Sequence, residues 1–266
     1  MEHYNEIMDE IKRIGKAHKS FDSYKEKGSK EEAVTNSDVE IQRDLLKTLS
    51  TFYPDCGFYC EEEGYNKPSD RKYVFIIDPI DGTMNYTRNI PECAISVALM
   101  NNNELIFAAV YNIFKDEMFY AIKGKGAYFQ GKKIKVSDKD FAHSIAYTGF
   151  SLYDKKYAAD CFKLNEELYY KANDLRRFGS AALELCYIAL GRGELYFSYR
   201  VFPYDYSGGE LILKEAGGCL CSLHNKKVTH DGPILLLAAN NKDNLDQLSN
   251  IVSKYIKYLP YQNNKS

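Results

Sequence analysis

The chain has 266 residues with 35 basic and 37 acidic side chains, a formal net charge of −2, and 45% hydrophobic content. That is material for a sizeable core, and the net charge argues against a nucleic-acid binder, which normally shows a basic face. No apolar run reaches 18 residues, so no membrane span is expected.

The opening stretch, MEHYNEIMDEIKRIGK, reads as a charged amphipathic helix without the apolar centre of a secretion signal. Ile7, Met8, Ile11 and Ile14 share its inner face, and the helix is predicted to run to about residue 18. A charged stretch, SYKEKGSKEEA, follows without periodicity. In TNSDVEIQRDLL, Ser37 and Glu40 form a capping box that opens a second helix. Asp38 is thereby set at the first helical position, where exposed N–H groups favour an anion by roughly 0.3–1 kcal/mol. Val39, Leu45, Leu46, Leu49 and Phe52 are the expected buried side, and Pro54 stops the helix.

Strands are predicted over 58–60, 73–77, 94–100, 105–111 and 117–122, with MNNNEL as a hairpin turn tolerant of positive φ. KGKGAYFQGKKIKVS adds short strands between glycine turns. Two helices followed by a β-rich run imply an antiparallel sheet covered by those helices. From about residue 144 the pattern changes: strands in SIAYT, ELYFSY and ILLLAA alternate with helices near 155–172, 180–190, 206–216 and 241–257. The expected organisation is an N-terminal α+β lobe, 1–140, and a C-terminal α/β lobe, 141–266, sharing an interface because no linker composition separates them.

The seven cysteines are scattered and odd in number, as expected of reduced thiols in a cytoplasmic protein. Cys219-x-Cys221 is too closely spaced for a zinc knuckle, and no two of the five histidines lie four apart. Candidate chemistry therefore rests on carboxylates. In FIIDPIDGTMNY an apolar strand ends in Asp78 and Asp81; Pro79 cannot donate to a ladder, and Gly82 allows an unusual backbone and close approach by a ligand. The short turn opening at Thr83 offers N–H groups to phosphate. YCEEEGY puts three glutamates after a short strand, and FPYDYSGGELILKEAGG puts Asp205 at a helix start. Gly208 and Gly209, each costing about 1 kcal/mol relative to Ala in a helix, suggest that something approaches this backbone closely. Read singly, these are turn residues, a solvated charge run and a helix cap. If they converge, two like charges 4 Å apart repel by about 4 kcal/mol at an effective dielectric of 20. Divalent cations, Mg²⁺ above all, would relieve this.

The segments VTNSD, CEEEG, DPIDGT and YDYSGGELILKEAGG resemble the inositol monophosphatase family of Mg²⁺-dependent, lithium-sensitive sugar phosphatases. GKGAYFQGKKIKVS and RRFGSAALELCYIALGRGELYF are similar to family stretches too, so the likeness spans nearly the whole chain. It implies a layered αβαβα fold with the site between the lobes. Glu61, Asp78 and the Ile80 carbonyl would hold one magnesium ion, and Asp78, Asp81 and Asp205 a second. A third, weaker ion would rest on Glu61 and water, with Glu62 the alternative to Glu61 in the triple-glutamate run. Asp38 and Thr83 would orient the attacking water beside Glu61. The Gly82 and Thr83 amides would hold the phosphate, close to Asp81 and Asp205, while Gly179, Ser180, Ala181 and Ser198 would face the substrate. Lys27 matches a basic residue near the site. A homodimer is the usual assembly.

Three departures stand out. Tyr204 replaces the usual Trp, Tyr206-Ser207 replaces a smaller pair, and Ser198, with Arg200 nearby, stands where inositol-preferring members carry Glu. The last puts myo-inositol 1-phosphate in question beside fructose 1,6-bisphosphate, NADP 2′-phosphate and 3′-phosphoadenosine nucleotides. Two rivals remain. Haloacid-dehalogenase phosphatases need D-x-D, and this chain has D-P-I-D. A regulatory binding module would keep the fold and act through a protein partner.

Overall fold

Apolar residues at strand and helix periods sort the chain into layers. The computed structural model describes residues 3–19, 24–26, 33–62, 64–65, 70–150 and 155–257; Lys27 lies outside them. Helix α1 (Tyr4–Ala17) precedes an antiparallel pair of strands, β1 (Tyr24–Glu26) and β2 (Ala33–Thr35). Helix α2 (Asn36–Phe52) follows. A seven-stranded sheet then runs in chain order: β3 (Gly57–Cys60), β4 (Tyr73–Asp81), β5 (Ala94–Asn101), β6 (Glu104–Asn112), β7 (Glu117–Ile122), β8 (Gly126–Phe129) and β9 (Lys132–Ile134). Only β3 and β4 pair parallel. The one-turn helix α3 (Thr83–Tyr86) lies between β4 and β5.

The second sheet has five strands: β10 (Ile145–Gly149), β11 (Asp174–Arg176), β12 (Leu195–Val201), β13 (Cys219–Cys221) and β14 (Ile234–Ala239), in the order β11-β10-β12-β14-β13. Between them run α4 (Ala158–Lys171), α5 (Ala181–Ala189) and α6 (Pro203–Glu215), and α7 (Lys242–Tyr255) closes the chain. Strand alternation builds the layering. Phe75 and Ile77 of β4 face α1 and α2, packing with Ile7, Ile11, Ile41 and Leu45. Val74 and Ile76 face the other way, into a core shared with Leu183 and Leu185 of α5, Leu211 to Leu213 of α6, and Tyr147, Tyr196 and Leu236 of the second sheet. The far face of that sheet packs Phe197, Leu235 and Leu237 on Leu164 and Leu168 of α4 and Leu245 and Leu248 of α7. The order helices, sheet, helices, sheet, helices is the expected αβαβα sandwich.

Three local expectations need correction. Helix α2 starts at Asn36, so Ser37 sits inside the first turn, its hydroxyl 3.0 Å from that of Tyr86. Its inner face is set by Asp38, Ile41, Gln42, Leu45 and Leu49, which leaves Val39 exposed. Glycines 208 and 209 lie in the second turn of α6 and serve packing rather than a ligand. A Cβ at Gly208 would come within 2.4 Å of Ser96 Oγ on β5, and one at Gly209 within 2.7 Å of Leu185 on α5. They let α6 lie close on the first sheet and on its partner helix.

Candidate active site

The strand carrying the two aspartates ends at the second of them. β4 runs through Asp81, and its ladder to β5 slips between the pairs Asp78–Ser96 and Asp81–Ala94. Pro79 cannot donate there, so the irregularity falls where no ladder bond is lost. Gly82 then turns the chain in the left-handed region (φ 94°, ψ 41°) into α3. A Cβ at Gly82 would lie 2.9 Å from the Glu92 carbonyl oxygen and 3.2 Å from that of Gly179. Only glycine satisfies both the torsion and the space.

These residues open onto a cleft of about 810 Å³ lined from both halves of the chain. Glu61, Asp78, Ile80, Asp81, Gly82 and Thr83 line it from the first sheet; Gly179, Ala181, Ser198 and Asp205 line it from the second half of the chain. Glu62 is buried away from the cleft and its N–H donates to Gln42 Oε1, so Glu61 is the glutamate that faces the acids. Two expected residues stand behind the surface. Asp38 is 1% exposed and accepts from Thr83 Oγ1 at 3.5 Å, the hydroxyl sharing its proton with the Ile80 carbonyl at 3.1 Å. Ser180 is fully buried and its hydroxyl donates to Asp81 Oδ2 at 2.7 Å.

The acids are held in place but not neutralised. Asp78 Oδ1 accepts the Ile80 N–H at 3.0 Å, and Asp205 Oδ2 accepts the Phe202 N–H at 2.7 Å, closing the first turn of α6. Asp81 accepts from the Ala181 and Ala182 N–H groups at 3.3 and 2.7 Å, a carboxylate from one lobe capping a helix of the other. Burial, then the charges of Glu61, Asp81 and Asp205, hold Asp78 well above the usual carboxylate range. Burial, then Asp81 and Glu61, do the same to Asp205. Burial pushes Asp81 up to about 6 against its three hydrogen bonds. Glu61 is the acid whose charge acts on Asp78 ahead of those of Asp81 and Asp205.

This donor set fits magnesium. Among the described residues no three acidic, histidine or cysteine side chains form a ready-made cage. Magnesium asks for less: one or two carboxylates each, completed by water and phosphate oxygens. Like charges that raise one another in a buried cleft are an imbalance that a cation would relieve.

Several cleft residues were not singled out from the sequence: Asn85, Phe150, Arg177, Phe178, Glu184, Tyr196 and Phe202. Arg177 lies over the Phe150 ring (5.7 Å) and Arg200 over Phe202 (5.3 Å), while Phe202 stacks on Tyr204. Glu184 is 2% exposed and accepts the Phe178 and Gly179 N–H groups at 2.6 and 3.2 Å; burial nevertheless pushes it up to about 8. The one available signal was spacing, an acid four residues beyond a helix-opening serine in GSAALE.

Comparison with known proteins gives one consistent result. A model of the inositol monophosphatase family matches residues 4–257. A Nus factor SuhB of Xylella fastidiosa is 37% identical over 188 residues, covering 70% of this chain and 68% of its own. Among solved structures, an IMPase of Thermotoga maritima superposes with a TM-score of 0.85 at 27% identity, covering 97% of this chain and 99% of that one. SaIMPase-II bound to inositol monophosphate gives 0.80 at 26% identity over 97% and 94% of the two chains. The same protein bound to 2′AMP gives 0.81 at 26% identity over 97% and 95%.

Proposed function

The chain belongs to the inositol monophosphatase family, and on that premise we propose that it hydrolyses a small phosphate monoester with two or three magnesium ions held among Glu61, Asp78, Asp81, Asp205 and the Ile80 carbonyl. The observation that carries this reading is the cleft itself: four carboxylates from distant parts of the chain line one space, and the charges that shift Asp78 and Asp205 are those of the other acids. Bound magnesium would supply charge neutralisation for the phosphoryl group and acidify water. The chain's own groups do the rest. Thr83 Oγ1 spends its proton on Asp38 and Ile80 O, so its lone pairs are left to accept from the attacking water. Glu61 is placed to take the proton that water releases. The Gly82–Thr83 backbone holds the phosphate, and Asp205 lies where the leaving oxygen would depart. Attack is by water, with no covalent phosphoenzyme.

The substrate is narrowed by the cleft wall. Ser198 is 5% exposed, and its hydroxyl bonds Tyr196, so it offers a polyol little. Arg177 and Arg200, each over an aromatic ring, favour a second anionic group or a flat ring on the substrate. This supports nucleotide or bisphosphate esters over bare inositol phosphate. The test is phosphate release from inositol 1-phosphate, fructose 1,6-bisphosphate, 2′-AMP and NADP with Mg²⁺, with and without Li⁺. Release that needs Mg²⁺ and disappears in Asp78→Asn supports the reading. Near-wild-type turnover by Asp78→Asn would end it.

The relatives' name, Nus factor SuhB, favours a second and compatible role as a binding module for a protein partner. Capture of the same partner by wild type and by Asp78→Asn would show that such binding is separate from the chemistry; the absence of any captured partner would count against it.

A further inference from the structure

The segment 178–182, which presents Gly179 and Ala181 to the cleft, has its polar groups committed to three side chains. Glu184 takes the Phe178 and Gly179 N–H groups, and Asp81 takes the Ser180 hydroxyl and the Ala181 and Ala182 N–H groups. The third is Asn85 of α3. Its Nδ2 donates to the Phe178 carbonyl at 2.6 Å and to the Glu92 carbonyl at 2.7 Å. Two carbonyl acceptors at these distances require the nitrogen, and both of its hydrogens are used. Glu92 is itself anchored, its carboxylate bonded to Lys115 and accepting from Tyr187 of α5 at 2.6 Å. The Glu92 and Gly179 carbonyls are also the two groups pressed against Gly82.

We propose that Asn85 is a positioning residue that fixes the distance between the phosphate-holding turn at Gly82–Thr83 and the substrate-facing segment 178–181 of the other lobe. This rests on the phosphatase reading of the cleft. Asn85 carries no charge and ligates nothing; its amide is a strut between two backbones. Asp81 also ties this segment to the first sheet, but it belongs to the acidic set. Asn85 is therefore the link between this segment and the Gly82–Thr83 turn that can be cut without removing a carboxylate. A substrate whose leaving group reaches the far wall depends on that spacing; an aryl phosphate held only by its phosphate does not.

Two arms test this on the full-length protein. In the first, hydrogen exchange of the 178–182 amides is compared between wild type and Asn85→Ala; faster exchange in the variant is expected, and unchanged protection overturns the proposal whatever the activity. The second compares kcat/KM on the best ester of the panel with p-nitrophenyl phosphate. A misplacement near 1 Å costs about 10²-fold, so Asn85→Ala should lose about that on the extended ester, chiefly in KM, and about tenfold less on p-nitrophenyl phosphate. Asn85→Asp keeps the shape but sets an oxygen against two carbonyls, and should lose at least as much as Asn85→Ala. Equal losses on both substrates, or a near-wild-type Asn85→Asp, contradict the strut. If wild type hydrolyses no ester, the phosphatase reading falls while the exchange arm still decides on Asn85.

Discussion

Helix α6 carries two buried acids five residues apart, and they titrate in opposite directions. Asp205 in its first turn is driven well above the usual carboxylate range by burial and by Asp81 and Glu61, with only the Phe202 N–H pulling the other way. Glu210, one and a half turns further on, is 2% exposed, and burial alone would raise it as well. It is instead lowered, because His230 Nε2 lies 2.8 Å and Lys214 Nζ 2.6 Å from its two oxygens. Burial is common to both; the difference is the cation. At Glu210 the chain supplies its own. At Asp205 the neighbouring charges are those of Asp81 and Glu61, which raise it further. Buried like charges cost stability, a cost that a bound cation would relieve.

Removing a charge from each place should separate them most clearly. Asp78→Asn or Asp205→Asn should abolish Mg²⁺-dependent hydrolysis, a loss of at least about 100-fold if the ions contribute several kcal/mol to the transition state. The same variants should melt higher than wild type in chelator, since one of the repelling charges is gone; a lower melting temperature there would contradict the repulsion. Glu210→Gln should do the reverse. Breaking hydrogen bonds to a charged group should cost about 1.5–3 kcal/mol of stability, read by denaturant unfolding, with kcat unchanged per folded molecule.

The pH dependence has an equally definite sign. Asp81, at about 6, and Glu184, at about 8, both sit above their unfolded values of 3.8 and 4.5, so the native state binds more protons than the unfolded one in that interval. Stability of the metal-free protein is therefore fully present below pH 4 on their account and falls as pH rises towards 8. Melting temperature in chelator should drop between pH 5 and pH 8, and Mg²⁺ should raise it more at pH 8. Glu210 contributes oppositely: its stabilisation is present above its unfolded value and is lost as pH falls. The smallest effect is expected at the half-exposed partner. Lys214→Met should cost less than about 1 kcal/mol, because His230 still holds Glu210.

Much of this was legible because motif chemistry and periodicity are local. ILLLAA is β14 residue for residue, and DPIDGT placed its aspartates at the strand end nearest the cleft. What escaped was set by partners distant in sequence. Gly208 and Gly209 looked like room for a ligand because spacing does not reveal that Ser96 and Leu185 press on them. Val39 matched a helical face, yet the face turned by one position once Asp38 was drawn in to meet Thr83. Ser180 looked like a substrate contact because nothing nearby in sequence shows that Asp81, 99 residues earlier, occupies its hydroxyl. Asn85 in a short polar turn is what turns usually contain, and only the fold brings Phe178 to it.

The most direct measurement is calorimetric titration of the metal-free protein with Mg²⁺ at pH 7.5, repeated in two buffers of different ionisation enthalpy. Saturable binding with net proton release is predicted, because burial and neighbouring acids hold Asp78 and Asp205 well above the usual carboxylate range, and both should be lost in Asp78→Asn. Binding that releases no protons, or that survives that substitution intact, would contradict the claim that these carboxylates meet in order to hold the ions.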